Sequence, residues 1–169
     1  MNALKIERVN RLSHDQIAAL SRILVGVVDA GASVGFVPPL SPEDADAYWR
    51  GVLTPGCVLL IASHGGQIVG TGQLELAMRA NGRSRAEVCK VLVAVEAQGQ
   101  GIGKALMLAL EAEARNEGRS LLHLDTNSDD KSNRLYLALG YTAAGTIPNW
   151  AIDADGVSHA TTIYYKVLA

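Results

Sequence analysis

Apolar residues recur three and four positions apart in some segments of this chain and alternate with polar residues in others, which predicts its helices and strands. Two helices are expected to begin after Ser13 and Ser41, because a serine oxygen can accept from the first free backbone N–H groups of a helix. Two further helices, each followed by a glycine, are predicted over about 101–116 and 131–139. Strands are predicted over 5–9, 58–63, 68–76, 86–95, 121–125, 141–147 and 160–167.

The predicted elements follow one another in the order β-α-α-β-β-β-α-β-α-β-β. This alternation indicates an α/β fold in which a mixed central sheet is flanked by helices on both faces. The chain contains no linker, repeat or low-complexity segment, and its 169 residues are enough for one hydrophobic core. We therefore expect residues 1–169 to form a single domain.

Composition and charge exclude several classes of protein. With 49% hydrophobic and 19% charged residues, the chain is globular rather than disordered. A net charge of −2 without a basic stripe argues against a nucleic-acid partner, and the lack of an apolar run of about 18 residues argues against a membrane span. Cys57 and Cys89 lie in apolar segments, so they are expected to be reduced core residues of a cytoplasmic protein. No Cys or His spacing predicts a metal site.

A glycine-rich loop, Gln98-Gly-Gln-Gly-Ile-Gly103, lies between a predicted buried strand and a predicted amphipathic helix. Such loops expose backbone N–H groups at the positive end of a helix dipole and so bind phosphate. The spacing fits neither a Walker loop nor a dinucleotide-binding loop, since Gln98 and Lys104 stand where those motifs need glycine. The loop matches Gln/Arg-x-x-Gly-x-Gly/Ala and resembles the acetyl-CoA loop of the GNAT superfamily of N-acetyltransferases. A surface turn that caps a helix is the alternative.

The resemblance extends over nearly the whole chain and is narrower than the superfamily. Several segments are similar to the tabtoxin-resistance acetyltransferases, which acetylate the amine of a toxin derived from a β-lactam dipeptide. The resemblance implies the GNAT fold, acetyl-CoA as co-substrate and acetyl transfer to an amine. The segments are Gly-Ala-Ser-Val-Gly-Phe at 31–36, Asn-Gly at 81–82, Arg-Ala-Glu-Val at 85–88, Leu-Leu-His-Leu-Asp-Thr at 121–126 and Thr-Ile-Tyr-Tyr-Lys at 162–166.

The resemblance also implies how acetyl-CoA is held. Backbone groups of Leu92 and Val93 would pair with the pantetheine arm as an added strand does, and N–H groups of the glycine loop would surround the pyrophosphate. Lys104 either adds its charge to a phosphate or stays in solvent. Position 98 is Gln where the family often has Arg, and position 129 is Asp where many members have a CoA-contacting Asn. The cofactor-binding residues expected on this basis are Leu92, Val93, Gln98, Gly99, Gln100, Gly101, Ile102, Gly103, Lys104 and Ser132.

Three residues are candidates for the chemistry. Tyr136 matches the acid tyrosine of the resembled family; a buried tyrosine with a structural hydrogen bond is the alternative. Glu87 and Asp125 lie on strands expected to be neighbours and match positions that this family uses for substrate handling and base catalysis. Alternatively, Asp125 caps a turn, Glu87 faces solvent, or the two only bind a cationic amine. His123 faces opposite to its leucine neighbours and is expected to be a packed or surface residue rather than a base.

The acceptor is expected to be a small-molecule amine, such as an amino-acid-like compound or a β-lactam toxin, which would make the protein an antibiotic-resistance enzyme. Loop 31–40 is the candidate for substrate selection, and Trp49 and Trp150 are candidates for the pocket wall. A protein N-terminus or lysine as acceptor is one alternative, and a non-catalytic acyl-CoA-binding module is another. The resembled family often forms homodimers, and the end strand at 163–167 could pair across such an interface.

Overall fold

The fold is built on one seven-stranded sheet in a computed structural model that describes residues 3–169. The strands are β1 (Lys5–Val9), β2 (Cys57–His64), β3 (Gln67–Leu76), β4 (Arg85–Val93), β5 (Leu121–Asn127), β6 (Thr142–Ile152) and β7 (Ser158–Val167). Their order across the sheet is β1-β2-β3-β4-β5-β7-β6. All neighbouring strands are antiparallel except β4 and β5, which are parallel, so the predicted mixed sheet is confirmed.

Helices cover both faces of this sheet. Along the chain, helices and strands alternate in the predicted order. The side chain of Ser13 and that of Gln16 form the capping box that starts the first helix, and Ser41 accepts from the N–H of Asp44 at the start of the second. The helices are α1 (His14–Asp29), α2 (Pro42–Gly51), α3 (Ile102–Asn116) and α4 (Ser132–Ala138).

The two faces of the sheet carry different helices. On one face, Tyr48 of α2 hydrogen-bonds to Gln73 of β3, and α1 packs beside α2. On the other face, α3 crosses β3 so closely that a Cβ added to Gly72 would lie 2.9 Å from Cδ1 of Leu110. The absence of side-chain atoms on Gly72 thus permits this close approach. We name these the α1/α2 face and the α3/α4 face.

Several strand ends differ from the prediction by one or more residues, and two of these differences have a clear structural cause. The strand predicted over 86–95 stops at Val93, because Val95–Ala97 form a short 3₁₀ turn that leads into the glycine loop. The strand predicted over 141–147 continues to Ile152, since it pairs with β7 as a long hairpin around the predicted turn at 153–156.

The position of β7 corrects the expected dimer contact. Residues 163–167 belong to β7, which is hydrogen-bonded to β5 on one side and to β6 on the other. The prediction that this segment pairs across a dimer is therefore wrong, because its backbone groups are already used within the sheet. The strand at that edge of the sheet is β6.

No helix within residues 3–169 has the length and apolar character needed to cross a membrane.

Candidate active site

Strands β4 and β5 separate part-way along their length and leave a gap in the sheet. They pair only at Arg85 with Leu121, Ala86 with Leu122, and Glu87 with His123. Beyond these pairs, β4 continues to residue 93 and β5 to residue 127. The β4 edge from 88 to 93 therefore presents backbone groups toward the gap without a β5 partner. An extended chain of amide groups could pair there as an added strand.

A β-bulge shapes β4 beside this gap. Gln73 of β3 pairs with Cys89 and Thr71 pairs with Leu92, so Lys90 and Val91 stand opposite a single residue of β3. Lys90 has a φ of +49°, a left-handed conformation that is unusual for a residue with a side chain. Bulges of this kind redirect side chains and occur often beside active sites.

The glycine loop presents a continuous set of free backbone donors at the start of α3. Gly99 and Gly101 have φ of +77° and +81°, and a Cβ on either would meet no atom within 4 Å. Across residues 3–169, the N–H groups of residues 99–104 have no hydrogen-bond acceptor in the protein, and no side chain caps α3. An open, uncapped N-terminus of a 15-residue helix is suited to the oxygens of a phosphate.

Gln98 behaves differently from the rest of the loop. Its N–H donates to the carbonyl oxygen of Val95 at 3.3 Å, so the run of free donors begins at Gly99. Its side-chain amide donates to the carbonyl oxygen of Val93 at 3.2 Å and accepts from the ammonium of Lys131 at 2.9 Å. Lys131 thus brings a positive charge from the β5–α4 loop to the glycine loop. This residue was not predicted from the sequence.

Tyr136 projects from α4 into the α3/α4 face and is 9% exposed. Its ring packs against those of Tyr141 and Tyr164. Burial raises the pKa of Tyr136 to about 12, although the nearby Ser132 hydroxyl lowers it in part. The Ser132 hydroxyl itself lies 3.0 Å from that of Thr126 on β5. Tyr136 therefore keeps its proton near neutral pH and can donate it.

Asn133, also missed from sequence, holds the β5–α4 loop in place. Its side-chain amide donates to the carbonyl oxygens of Asn127 at 2.9 Å and of Asp130 at 2.6 Å. Its side-chain oxygen accepts from the hydroxyl of Tyr164 at 2.7 Å. These bonds fix the segment that carries Lys131 and leads into the helix of the candidate acid.

Acidic residues line the α1/α2 face at the closed end of the gap. Glu87 of β4 lies directly opposite Glu75 of β3 and directly beside His123 of β5. Asp125, two residues after His123, is on the same face of β5, and its carboxylate accepts from the hydroxyl of Thr161 at 2.8 Å. The structure thus brings the predicted Glu87 and Asp125 together on one face. It adds Glu75, and it places His123 beside Glu87.

Aromatic residues from the α1–α2 region stand over this acidic surface. Tyr48 of α2 packs edge-on against Phe36 with ring centroids 5.4 Å apart, so loop 31–40 reaches the candidate site. Trp49 is 1% exposed and belongs to the core, while Trp150 is 55% exposed on β6. The pocket wall expected from the tryptophans is therefore formed on this side by Tyr48 and Phe36.

The two cysteines lie on the same surface as Tyr48. Cys57 pairs with Glu75 and Cys89 pairs with Gln73, so both thiols share the α1/α2 face. Burial and nearby carboxylates raise the pKa of each thiol to about 12. Neither is a thiolate near neutral pH, which argues against a nucleophilic cysteine.

Comparison with known proteins decides the family. The model of the Acetyltransferase (GNAT) family matches residues 29–141. An uncharacterized N-acetyltransferase from the hisH–hisA intergenic region of Azospirillum brasilense is 31% identical over 135 residues, which are 78% of this chain and 80% of the relative. The chain belongs to the GNAT acetyltransferase family.

Solved structures share the fold of this GNAT chain. A candidate phosphinothricin N-acetyltransferase superposes with a TM-score of 0.83 at 22% identity and covers 99% of both chains. A candidate acetyltransferase from Salmonella typhimurium, solved with its cofactor acetyl-CoA, superposes with a TM-score of 0.82 at 22% identity over 99% of this chain and 95% of that one. At these identities the likeness shows the fold alone.

As a GNAT enzyme, this protein uses acetyl-CoA, and its own donor set fits that molecule. The free N–H groups of residues 99–104 suit a pyrophosphate, and the unpaired edge of β4 suits the amide groups of a pantetheine arm. A Cβ on Gly103 would make only ordinary contacts, 3.6 Å from Leu135 and 3.9 Å from Val93. Tight packing around Gly103 thus does not explain the glycine there, and the open shape of the glycine loop comes from its backbone conformation.

Proposed function

We propose that this chain transfers the acetyl group of acetyl-CoA to the amine of a small molecule, with an amino-acid-like compound or a β-lactam toxin as the type of acceptor. One observation carries the proposal. The gap between β4 and β5 has a phosphate-binding loop and a protonated tyrosine on one face, and acidic and aromatic side chains on the other. Two substrates could thus meet in the gap from opposite faces.

On the α3/α4 face, the loop residues 99–104 hold the pyrophosphate and the edge of β4 at Leu92 and Val93 holds the pantetheine arm. Lys131 replaces part of the charge that an arginine at position 98 would supply, because its ammonium already contacts Gln98 at 2.9 Å. When bound, acetyl-CoA supplies a thioester whose acetyl group an amine can accept. Tyr136 holds a proton on the same face, where it can be donated to the departing sulfur.

On the α1/α2 face, Glu87 and Asp125 bind the amine and take its proton. Carboxylates directly opposite each other, such as Glu75 and Glu87, destabilise a strand pair unless a cation lies between them. An incoming ammonium group relieves that repulsion, and loss of its proton makes the amine a nucleophile. His123, beside Glu87, adds a second group that can accept a proton.

A small acceptor is favoured over a protein because loop 31–40 closes over the acidic surface, with Phe36 against Tyr48. The segment similar to the tabtoxin-resistance enzymes supplies this contact, which supports that subtype and a role in resistance. The retained Tyr136, Glu87 and Asp125 favour an enzyme over a binding module. Free thiols at Cys57 and Cys89 support a reducing, cytoplasmic compartment as part of the proposal.

The test is a free-thiol release assay with acetyl-CoA against amino acids, simple amines, β-lactam dipeptide analogues and peptides. We expect turnover with amino-acid-like amines and little with peptide N-termini or lysine side chains. Preference for peptides would replace the small-molecule proposal by the protein-acetyltransferase alternative. Tight acetyl-CoA binding without turnover of any amine would favour the binding module.

Removing both carboxylates is expected to suppress amine acetylation. Glu87→Gln with Asp125→Asn removes the groups that accept the proton, so kcat/KM should fall about 100-fold. Glu7→Gln with Asp15→Asn is the matched control, since it removes the same two charges from β1 and the first turn of α1. Wild-type kcat/KM in the first variant would remove both residues as base candidates.

We also propose that the protein forms a homodimer through β6 rather than β7. The 11-residue edge strand β6 is exposed along nearly its whole length and includes Trp150 and Ile152, at 55% and 60% exposure. Long apolar edge strands are normally covered by a partner. Sedimentation of the wild type should show a dimer and Trp150→Glu a monomer. A monomeric wild type at assay concentration would contradict the proposal.

A further inference from the structure

We propose that Lys90 binds a carboxylate of the acceptor, which makes the acceptor a small amino acid or a related zwitterion. This inference rests on the proposed function and adds a second recognition point to it. The acidic residues around Glu87 would hold the amine, and Lys90 would hold the acid group of the same molecule.

The backbone of Lys90 is the first observation. Its φ of +49° places a long side chain in the left-handed region, where glycine or asparagine is more usual. The β-bulge opposite Gly72 imposes this conformation and sends the lysine out of the regular alternation of β4. Strain of this kind is concentrated at functional sites.

The position of the ammonium group is the second observation. Nζ of Lys90 lies 6.0 Å from the ring centroid of Tyr48 and 3.4 Å from the place that a Cβ on Gly35 would occupy. The side chain therefore extends beneath loop 31–40 to the aromatic wall of the site instead of into open solvent. Gly35 has a φ of +86° and contributes no side chain of its own to the space beside the ammonium.

The lack of an internal partner is the third observation. Lys90 forms no salt bridge within residues 3–169, although Glu75 and Glu87 lie on the neighbouring part of the same face. Lys90 as a residue is half-buried, and the ring face of Tyr48 lies 6.0 Å from its ammonium group, at the outer limit of a cation–π contact. A carboxylate of the acceptor would complete this site. A polyamine would satisfy the acidic residues but would be repelled by Lys90.

The test compares each proteinogenic L-amino acid with its carboxamide, at saturating acetyl-CoA. The wild type should have a higher kcat/KM for the acids. In Lys90→Met the acid-to-amide ratio should fall about 10- to 100-fold, mainly through KM, because a charge-assisted contact is lost. Comparing the ratio between variants cancels the intrinsic difference between the two amines. Lys90→Arg should keep most of the preference, and Lys90→Glu should invert it.

The control is Lys5→Met, which removes a lysine from the edge strand β1, three strands away from β4, and should leave the ratio unchanged. Thermal melts show whether each Lys90 variant is folded. If Lys90→Arg is folded and keeps the preference for acids, the preference depends on the positive charge and not on the packing of the lysine side chain. Acetylation with equal use of acids and amides would overturn this inference and leave the proposed function standing. A preference for polyamines would overturn both this inference and the proposed type of acceptor, and would leave only acetyl transfer to a small amine. No acetylation of any compound would overturn both.

Discussion

Replacing Gly101 with aspartate is expected to abolish acetyl-CoA binding. Gly101 has a φ of +81°, directly precedes α3 and lies among the free N–H groups of residues 99–104. An aspartate here brings a negative charge to the place where a pyrophosphate would lie. At about 4 Å and an effective dielectric of about 20 the repulsion is roughly 4 kcal/mol, which is more than 100-fold in Kd. Calorimetric titration with acetyl-CoA measures the loss.

Two further variants separate charge from backbone strain. Gly118→Asp places the same residue at a φ of +68° after the other end of α3, also in open space, so it should be destabilised similarly but still bind acetyl-CoA. Gly103 has no left-handed φ and room for a Cβ, so Gly103→Ala should bind and Gly103→Asp should not. If Gly101→Asp and Gly103→Asp both kept wild-type affinity, the loop would not be the pyrophosphate site.

Local signals explain why the order of elements could be predicted. The helices begin at Ser13 and Ser41, where side chains satisfy the first backbone donors, and the Gly118 and Gly140 that follow the later helices have φ of +68° and +82°. Each signal lies within a few residues of the end it marks. The glycine loop was recognisable for the same reason, since its donors belong to consecutive residues.

The parts that could not be predicted depend on which strands pair and in what register. The gap lies where β4 and β5 stop pairing after Glu87 and His123, and the residue pattern of neither strand alone marks that point. The left-handed Lys90 follows from a one-residue mismatch with β3. Lys131 reaches Gln98 across 33 positions of sequence. The sequence pattern assigned these residues to elements, but only the pairing shows which of them meet.

Register also explains why Glu75 was not predicted as a site residue. It likewise explains why His123, expected to be a packed or surface residue, is now a candidate site residue. Each strand taken alone places its polar residues on one side, and a polar side is also what a solvent-facing strand shows. The pairing aligns Glu75, Glu87 and His123 in a single row across three strands. A row of titratable groups beside a gap in a sheet is a candidate site, whereas each residue alone is ordinary.

Replacing Tyr136 with phenylalanine is expected to lower kcat at least about 100-fold while acetyl-CoA affinity stays within about twofold. The ring keeps its packing against Tyr141 and Tyr164, so only the hydroxyl group is lost. The variant should therefore stay folded, which a thermal melt checks.

A matched variant distinguishes an acid from a structural tyrosine, and the pH dependence tests the raised pKa of the acid. Because the pKa of Tyr136 is raised to about 12, the hydroxyl stays protonated at pH values where an ordinary tyrosine ionises. Wild-type kcat should therefore show no loss from tyrosine ionisation between about pH 10 and 11, where an acid with the ordinary tyrosine pKa of about 10 would already lose its proton. Tyr141→Phe removes a hydroxyl from the neighbouring buried ring, 6.1 Å from Tyr136 between centroids, and should keep kcat within a few fold. Equal losses in both variants, or wild-type turnover by Tyr136→Phe, would return Tyr136 to a structural role and leave the departing sulfur to be protonated by solvent.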